Sequence, residues 1–384
     1  MSELINSVDN RATARRKLLT SVSALTLAAN LSSTGMAKAE DSNPLIWIEL
    51  GGQMDKVGGQ GEAFAPPFLS ANLASAVIWN GATPLDAQKS PKFAFGEDGK
   101  ISFQPENSDW VFSAGVQIGR SGNDRRVHHQ TYNLFYIAYI NGAPAEANPH
   151  GIDAFADTQA SRSETYGILD FQAGKDVGLG LFGNGSKSTV SVGVRIAQFT
   201  SQQSFAIRAR PEMNFYDVNV YKYHFHLPYF HTYHATGHAE RSFHGVGPSL
   251  SWNGSAPFVG NQQDGELAVD WDVNAALLFG RQRAYVRHLE TAHYVKPFWA
   301  LGSGGGYITA YPPHQGGHGN ARSLTVPNIG GSARLSWRVQ DFKISMGYRA
   351  DFFFGAIDGG IDTRKSETLG FYGPFASISI GIGG

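Results

Sequence analysis

The stretch LAVDWDVNAALLF, residues 267 to 279, puts an apolar side chain at every odd position, with Asp270, Asp272 and Asn274 among the even ones. Extended backbone sends successive side chains to opposite faces, whereas a helix gathers one face at spacings of three and four. Thirteen residues of strict period two therefore specify a strand with one greasy face and one wet one. The pattern recurs. In FKISMGYRADFFF, Phe342, Ile344, Met346, Tyr348, Ala350, Phe352 and Phe354 alternate with Lys343, Ser345, Gly347, Arg349 and Asp351. Shorter ladders run through 110 to 118, 190 to 196, 332 to 339 and 376 to 382, and LDFQAGKDVGLGL fits with Lys175 as its one exception.

Length separates the architectures that such strands could build. Globular strands average roughly 5 to 6 residues, while a tilted strand crossing a bilayer needs roughly 9 to 11. The polar faces carry Gly, Ser, Asn, Asp and Arg, which suits a crowded, hydrated lumen better than the wet side of a soluble sandwich. Trp110, Phe279, Phe342, Phe354, Phe371 and Tyr372 stand near ladder ends, where interfacial girdles form. With 46 glycines, 12% aromatics, only 16% charged residues and no cysteine, the chain favours β structure and has no disulfide framework to hold it. The mean hydropathy of -0.23 would label it soluble, but barrel strands average out to neutral.

The N-terminus places Arg11, Arg15, Arg16 and Lys17 before the apolar run LLTSVSALTLAANL and then AKA, the order of a secretory signal peptide ending at residue 39. Its removal takes five of 31 basic and two of 32 acidic groups, so residues 40 to 384 carry a net charge of -4. That balance gives no reason to expect nucleic acid as a partner.

Only Gln340 and Asp341 separate the ladders at 331 to 339 and 342 to 354, while GAIDGGIDTRKSET joins the next pair. Short turns alternating with long loops match an outer-membrane barrel with periplasmic termini. Counting back from the C-terminus predicts twelve strands: 45–53, 109–120, 131–140, 165–181, 188–199, 242–253, 266–279, 294–300, 304–311, 331–339, 342–354 and 371–382. The expected fold is thus an all-β transmembrane antiparallel barrel of about 12 strands spanning residues 40 to 384. Residues 54 to 108 are expected as a long loop, a plug or further strands, and 200 to 241 as a His- and aromatic-rich external loop.

The segments SVGVRIAQF, SFHGVGPSLSW, NAALLFG and GFYGPFASISI resemble the recurrent strand motifs of the Legionella-type major outer-membrane protein family, over about the C-terminal two thirds of the chain. The resemblance implies an outer-membrane β-barrel with porin-like activity. The chain departs from common barrel assembly signals by ending in GIGG rather than in an aromatic residue.

On this reading Arg195, Arg334, Arg338 and Arg349 point inward with Asp170, Asp176, Asp270, Asp272 and Asp351. Opposed rows of charge orient polar solutes in a water-filled pore. Equally, the charges can pair with one another and fill the lumen. The segment with His224, His226, His231, His234, His238 and His244 has a spacing that zinc or copper could use, but without cysteine or a fixed carboxylate pattern it reads as an aromatic-rich loop, and neither metal nor cofactor is expected. His244 lies near Ser242, Ser249 and Ser251, with no elbow motif around any serine. The expectation is a non-enzymatic outer-membrane channel for passive diffusion of small polar solutes. Its partners would be outer-membrane lipids and the barrel-insertion machinery. The rivals are a structural or adhesive barrel with a plugged lumen, a lipid-modifying enzyme, and a secreted soluble sandwich.

Overall fold

The structure is a computed structural model that describes residues 46–58, 94–106, 108–131, 138–140, 143–145, 154–177, 187–210, 214–220, 223–261, 263–296, 307–310, 313–360 and 363–383. The signal-peptide segment lies outside the described residues. Ten antiparallel strands form the wall: β1 (Ile46–Gly58), β2 (Ala94–Phe103), β3 (Trp110–Thr131), β6 (Ala154–Asp176), β7 (Lys187–Arg210), β9 (Tyr223–Asn261), β10 (Gly265–Lys296), β12 (His314–Val339), β13 (Phe342–Asp358) and β14 (Ser366–Ile382). Each pairs with the next, and β14 returns to β1, with Ile46 opposite Ile382 and Ile48 opposite Ile380. The sheet is therefore a closed barrel without a free edge in its wall, the arrangement that satisfies every strand's backbone in an apolar medium. Short strands β4 (Ala138–Ile140), β5 (Ala143–Ala145), β8 (Asn214–Val220) and β11 (Tyr307–Ala310) pair outside this ring.

Ten staves correct the expected twelve. Residues 266–279 and 294–296 belong to one long stave, β10, and the described part of 304–311 is the short β11 off the ring, while 297–306 and 311 lie outside the described residues. Of 131–140, residues 138–140 form β4 off the ring, and 132–137 lie outside the described residues. Conversely β2, AFGEDGKISF, was not among the twelve. Its outer face reads Phe95, Glu97, Gly99, Ile101 and Phe103, and the Glu and Gly break the apolar ladder. The turn at Gln340–Asp341 is as tight as expected, with Gln340 at φ 52°.

The segment 200 to 241 is largely strand rather than loop: β7 runs on to Arg210 in the wall, β8 covers 214–220 off the ring, and β9 begins at Tyr223. These staves are far longer than a bilayer requires, with 39 residues in β9 and 32 in β10. Their outer chemistry changes midway. On β7, Val190, Val192, Val194 and Ile196 give way to Gln198, Thr200 and Gln202; on β10, Leu267 to Phe279 give way to Arg281 and Arg283. Pairing sets Gln198 opposite His244, His244 opposite Arg281, and Arg281 opposite Ser323, so one cross-strand row draws the upper edge of the apolar belt. A 13-residue ladder spans about 43 Å at roughly 3.3 Å per residue, or about 30 Å of height when tilted near 45°, close to a hydrocarbon core. Within the belt large apolar side chains face outward in the open: Val273 is 49% exposed, Phe279 55% and Met346 63%. No helix among the described residues is long and apolar enough to cross a membrane.

Candidate pore

Inside the belt the inner faces are polar and ionised. Arg195 on β7 is the hub. Its guanidinium donates to both carboxylate oxygens of Asp170 on β6 at 2.8 Å and to the amide oxygen of Asn274 on β10 at 2.7 Å; it also reaches Asn328 on β12 and, at 3.6 Å, Asp351 on β13. Planar, bidentate guanidinium chemistry suits such a junction. Arg334 pairs with Glu49 at 2.8 Å and approaches Asp270 at 3.5 Å, while Lys343 meets Asp270 at 2.5 Å. Arg349 reaches Asp98 and Gln53, both at 3.4 Å, and lies 4.6 Å above the ring of Phe375. Asn274 donates to Asp272 at 2.9 Å. A cavity of about 120 Å³ remains among these groups, with Lys100, Ser113, Gln117 and Gln172 on its walls.

Seven of the nine expected lining residues thus converge in the lumen, some joined to a neighbouring stave, as Arg195 is to Asp170, and some to a distant one, as Arg195 is to Asp351. The other two stand apart. Arg338 lies at the end of β12, donates to the carbonyl of Gln340 at 3.1 Å and covers the Trp47 ring at 4.8 Å; Asp176 is exposed at the end of β6. Sequence reasoning missed Glu49, Asp98 and Lys343 as members of the network. Lys343 shares the parity of Arg349 and Asp351 within one ladder, and that signal was available.

Above the charges the inner faces turn apolar. Phe199 on β7 lies 4.4 Å, centroid to centroid, from Phe353 on β13, 5.4 Å from Phe371 on β14 and 5.6 Å from Phe243 on β9. Because β7 and β14 are five staves apart in a ring of ten, the Phe199–Phe371 contact crosses the whole lumen. Leu278, Val326 and Val57 complete the layer, each 0% exposed. Gly245 makes the close packing possible: a Cβ there would sit 2.5 Å from the Phe243 ring. Beneath the layer, Tyr166 donates a 2.5 Å hydrogen bond to Asp55.

Beyond this layer the lumen becomes polar again, and the β13–β14 connection folds into it. Gly355, at φ 68°, takes the left-handed conformation open to glycine, and the pairing shifts register between Phe353 and Ile357. Residues 356–360 are buried. Gln282 on β10 donates to the carbonyl of Ala356 at 2.9 Å, and Arg241 on β9 donates to the carbonyls of Asp358 and, at 3.1 Å, Gly360. His318 on β12 lies 3.2 Å from the Asp358 carboxylate, which also accepts the backbone N–H groups of Lys365 and Gly360. Burial would raise the Asp358 pKa, but those two N–H donors and His318 outweigh it and hold the carboxyl below its ordinary value.

His234 and His244 are exposed on β9, and among the described residues no three His, Asp or Glu side chains assemble as a metal site. Side chains of His224, His226 and His231 lie outside the described set. His244 faces outward while Ser249 and Ser251 are buried on the inner face, so the wall separates them; Ser242 shares the outer face.

No family model matches the chain, and no curated protein matches it. Among solved structures the chain is similar to the CymD monoaromatic hydrocarbon channel, at 8% identity over 89% of this chain and 90% of that one, with a TM-score of 0.23. The P. putida toluene transporter TodX matches at 10% identity over 90% and 91%, TM-score 0.21. The transport unit of the Escherichia coli autotransporter AIDA-I matches at 8% over 93% and 96%, TM-score 0.20. At such scores none of the three bears on what this barrel does; the fold rests on its own strand pairing.

Proposed function

We propose that the chain is an exported outer-membrane β-barrel of the Legionella-type porin-like class that acts as a gated channel for small polar solutes. The observation that carries the reading is the stacking inside the barrel: a charge-lined cavity below, one aromatic layer, and a second polar compartment above. A short apolar constriction between two wettable compartments closes a pore by excluding water and opens when its rings part. Ten staves leave a lumen little wider than the eight-stave barrels that side chains fill, so the solutes would be small. Basic and acidic groups face each other in the lower cavity, which favours neutral-polar or zwitterionic solutes over strongly charged ones. The apolar belt supports insertion among outer-membrane lipids by the barrel-insertion machinery.

One observation favours a second reading. Phe199, Phe243, Phe353 and Phe371 are all less than 2% exposed, as in a permanently filled barrel that anchors its outer wall. Planar-bilayer recording of refolded residues 40 to 384 separates the two. The wild type should be closed with rare openings, and Phe199→Ala with Phe353→Ala should give sustained steps of conductance. A folded double variant that stays silent would overturn the channel and leave the filled barrel.

A further inference from the structure

Above the belt the outer face of β10 continues as Arg281, Arg283, Tyr285 and Arg287, all exposed. Pairing sets His244 opposite Arg281, Glu240 opposite Tyr285 and His238 opposite Arg287 on β9. On the other flank, Ser323, Ala321, Gly319 and Gly317 of β12 stand opposite the same four positions. Three guanidiniums therefore share one strand face, with Glu240 as the single carboxylate on the outer faces of the two flanking strands at that height. Like charges on one face repel. Among the described residues none of the three arginines forms an ion pair, although the whole chain is slightly acidic, at net -1.

The surface beside the stripe is shaped as well as charged. Above Gly319 the space is open, and a groove of about 460 Å³ runs between Arg283, Tyr285 and the small residues Gly319 and Ala321, with Glu240 and Ser242 on its β9 side. Below it a groove of about 560 Å³ places Arg281 and His244 directly over Phe279 and Val246 of the apolar belt. The two grooves set apolar surface beneath a row of guanidiniums, a match for an amphiphile with acyl chains below and an anion above.

We propose that this stripe binds the phosphate-bearing headgroup of a membrane lipid whose acyl chains lie against Phe279 and Val246. Guanidinium forks fit phosphate oxygens bidentately, and basic side chains beside a membrane surface concentrate anionic lipid. The inference rests on the membrane-barrel reading above.

The test uses the intact barrel purified in nonionic detergent and mixed with diphosphoryl lipid A, with retained lipid read by native mass spectrometry. The wild type should keep the lipid. R281Q/R283Q/R287Q should lose about tenfold or more of it, and the triple Lys variant should keep most. A heat-dependent gel shift checks that the Gln variant is closed; if it does not fold, R283Q alone should show a smaller loss in the same direction. Equal retention by a folded Gln variant overturns the lipid site while leaving the barrel. Displacement of the lipid by millimolar inorganic phosphate reduces the stripe to a simple anion site and overturns the proposal. A wild-type protein that stays in the aqueous phase without detergent overturns the membrane reading itself.

Discussion

The charged lower storey of the barrel and the aromatic layer above it are built from the same staves with the same side-chain parity, yet their chemistry is exchanged. On β7 the inward positions are Ser191, Gly193 and Arg195 below, but Phe199, Phe205 and Ile207, interspersed with Ser201 and Gln203, above; the outward ones are Val192 and Val194 below, but Gln202 and Ser204 above. The backbone does not change between the storeys. On the membrane-barrel reading what changes is the medium against the outer face, and apolar rings enter the inner face only where that medium is water. On that reading, where lipid covers the outside, polar groups can find only water and each other within the cylinder; where water covers it, apolar side chains also move to the middle and share it with the polar groups of the upper compartment.

The contrast can be broken most severely on the inner face. Arg195→Met strands the half-buried carboxylate of Asp170 and the buried one of Asp351, and removing one partner of a buried ion pair costs about 3–5 kcal/mol. Phe199→Met, four residues along on the same inward face, should cost about 1 kcal/mol, because a flexible apolar side chain replaces an apolar ring. Urea unfolding of the two variants in detergent, followed by tryptophan fluorescence, measures the difference. Equal losses would mean that the storeys do not differ in kind.

The outer face gives the next largest effect. Val273→Arg puts a charge mid-belt and should destabilise the barrel by about 2–4 kcal/mol in lipid vesicles. Gln202→Arg, outward on β7 above the belt, should stay within about 0.5 kcal/mol of the parent. Tolerance of Arg at 273 would place water, not hydrocarbon, against β10.

The inversion also explains how far the sequence could be read. Ladders in the belt are legible because an apolar outer face against a polar lumen imposes strict alternation, as in 267 to 279 and 342 to 354. Above the belt the apolar residues move to the other parity: on β9, Val246 and Leu250 face out while Phe243, Ala239 and Ala235 face in. Read along the chain, that exchange looks like a lost pattern, so 200 to 241 reads as loop and the long staves are cut short. The charged lumen was legible for the same reason as the belt, since Arg195, Asp270 and Asp351 fall on clean polar parity. The aromatic plug was not, because Phe199 and Phe371 look like any other ladder residue until strand closure brings opposite staves together. Phe371, expected in an outer girdle, points inward.

The smallest effect concerns the connection folded into the upper storey. The Asp358 carboxylate anchors that segment through the backbone N–H groups of Lys365 and Gly360 and through His318, and its pKa is depressed in the closed barrel. A depressed carboxyl contributes stability that is complete above its unfolded value, near pH 3.9, and is lost as pH falls through the lower folded value. Acid below about pH 4 should therefore loosen the connection and raise open probability in bilayer recordings. Asp358→Asn keeps the shape of the acceptor but weakens its charge-assisted bonds, at a cost of about 1 kcal/mol, and should flatten the acid response. If the Asn variant opens in acid as the wild type does, another group holds the upper storey shut and the connection is merely packed there.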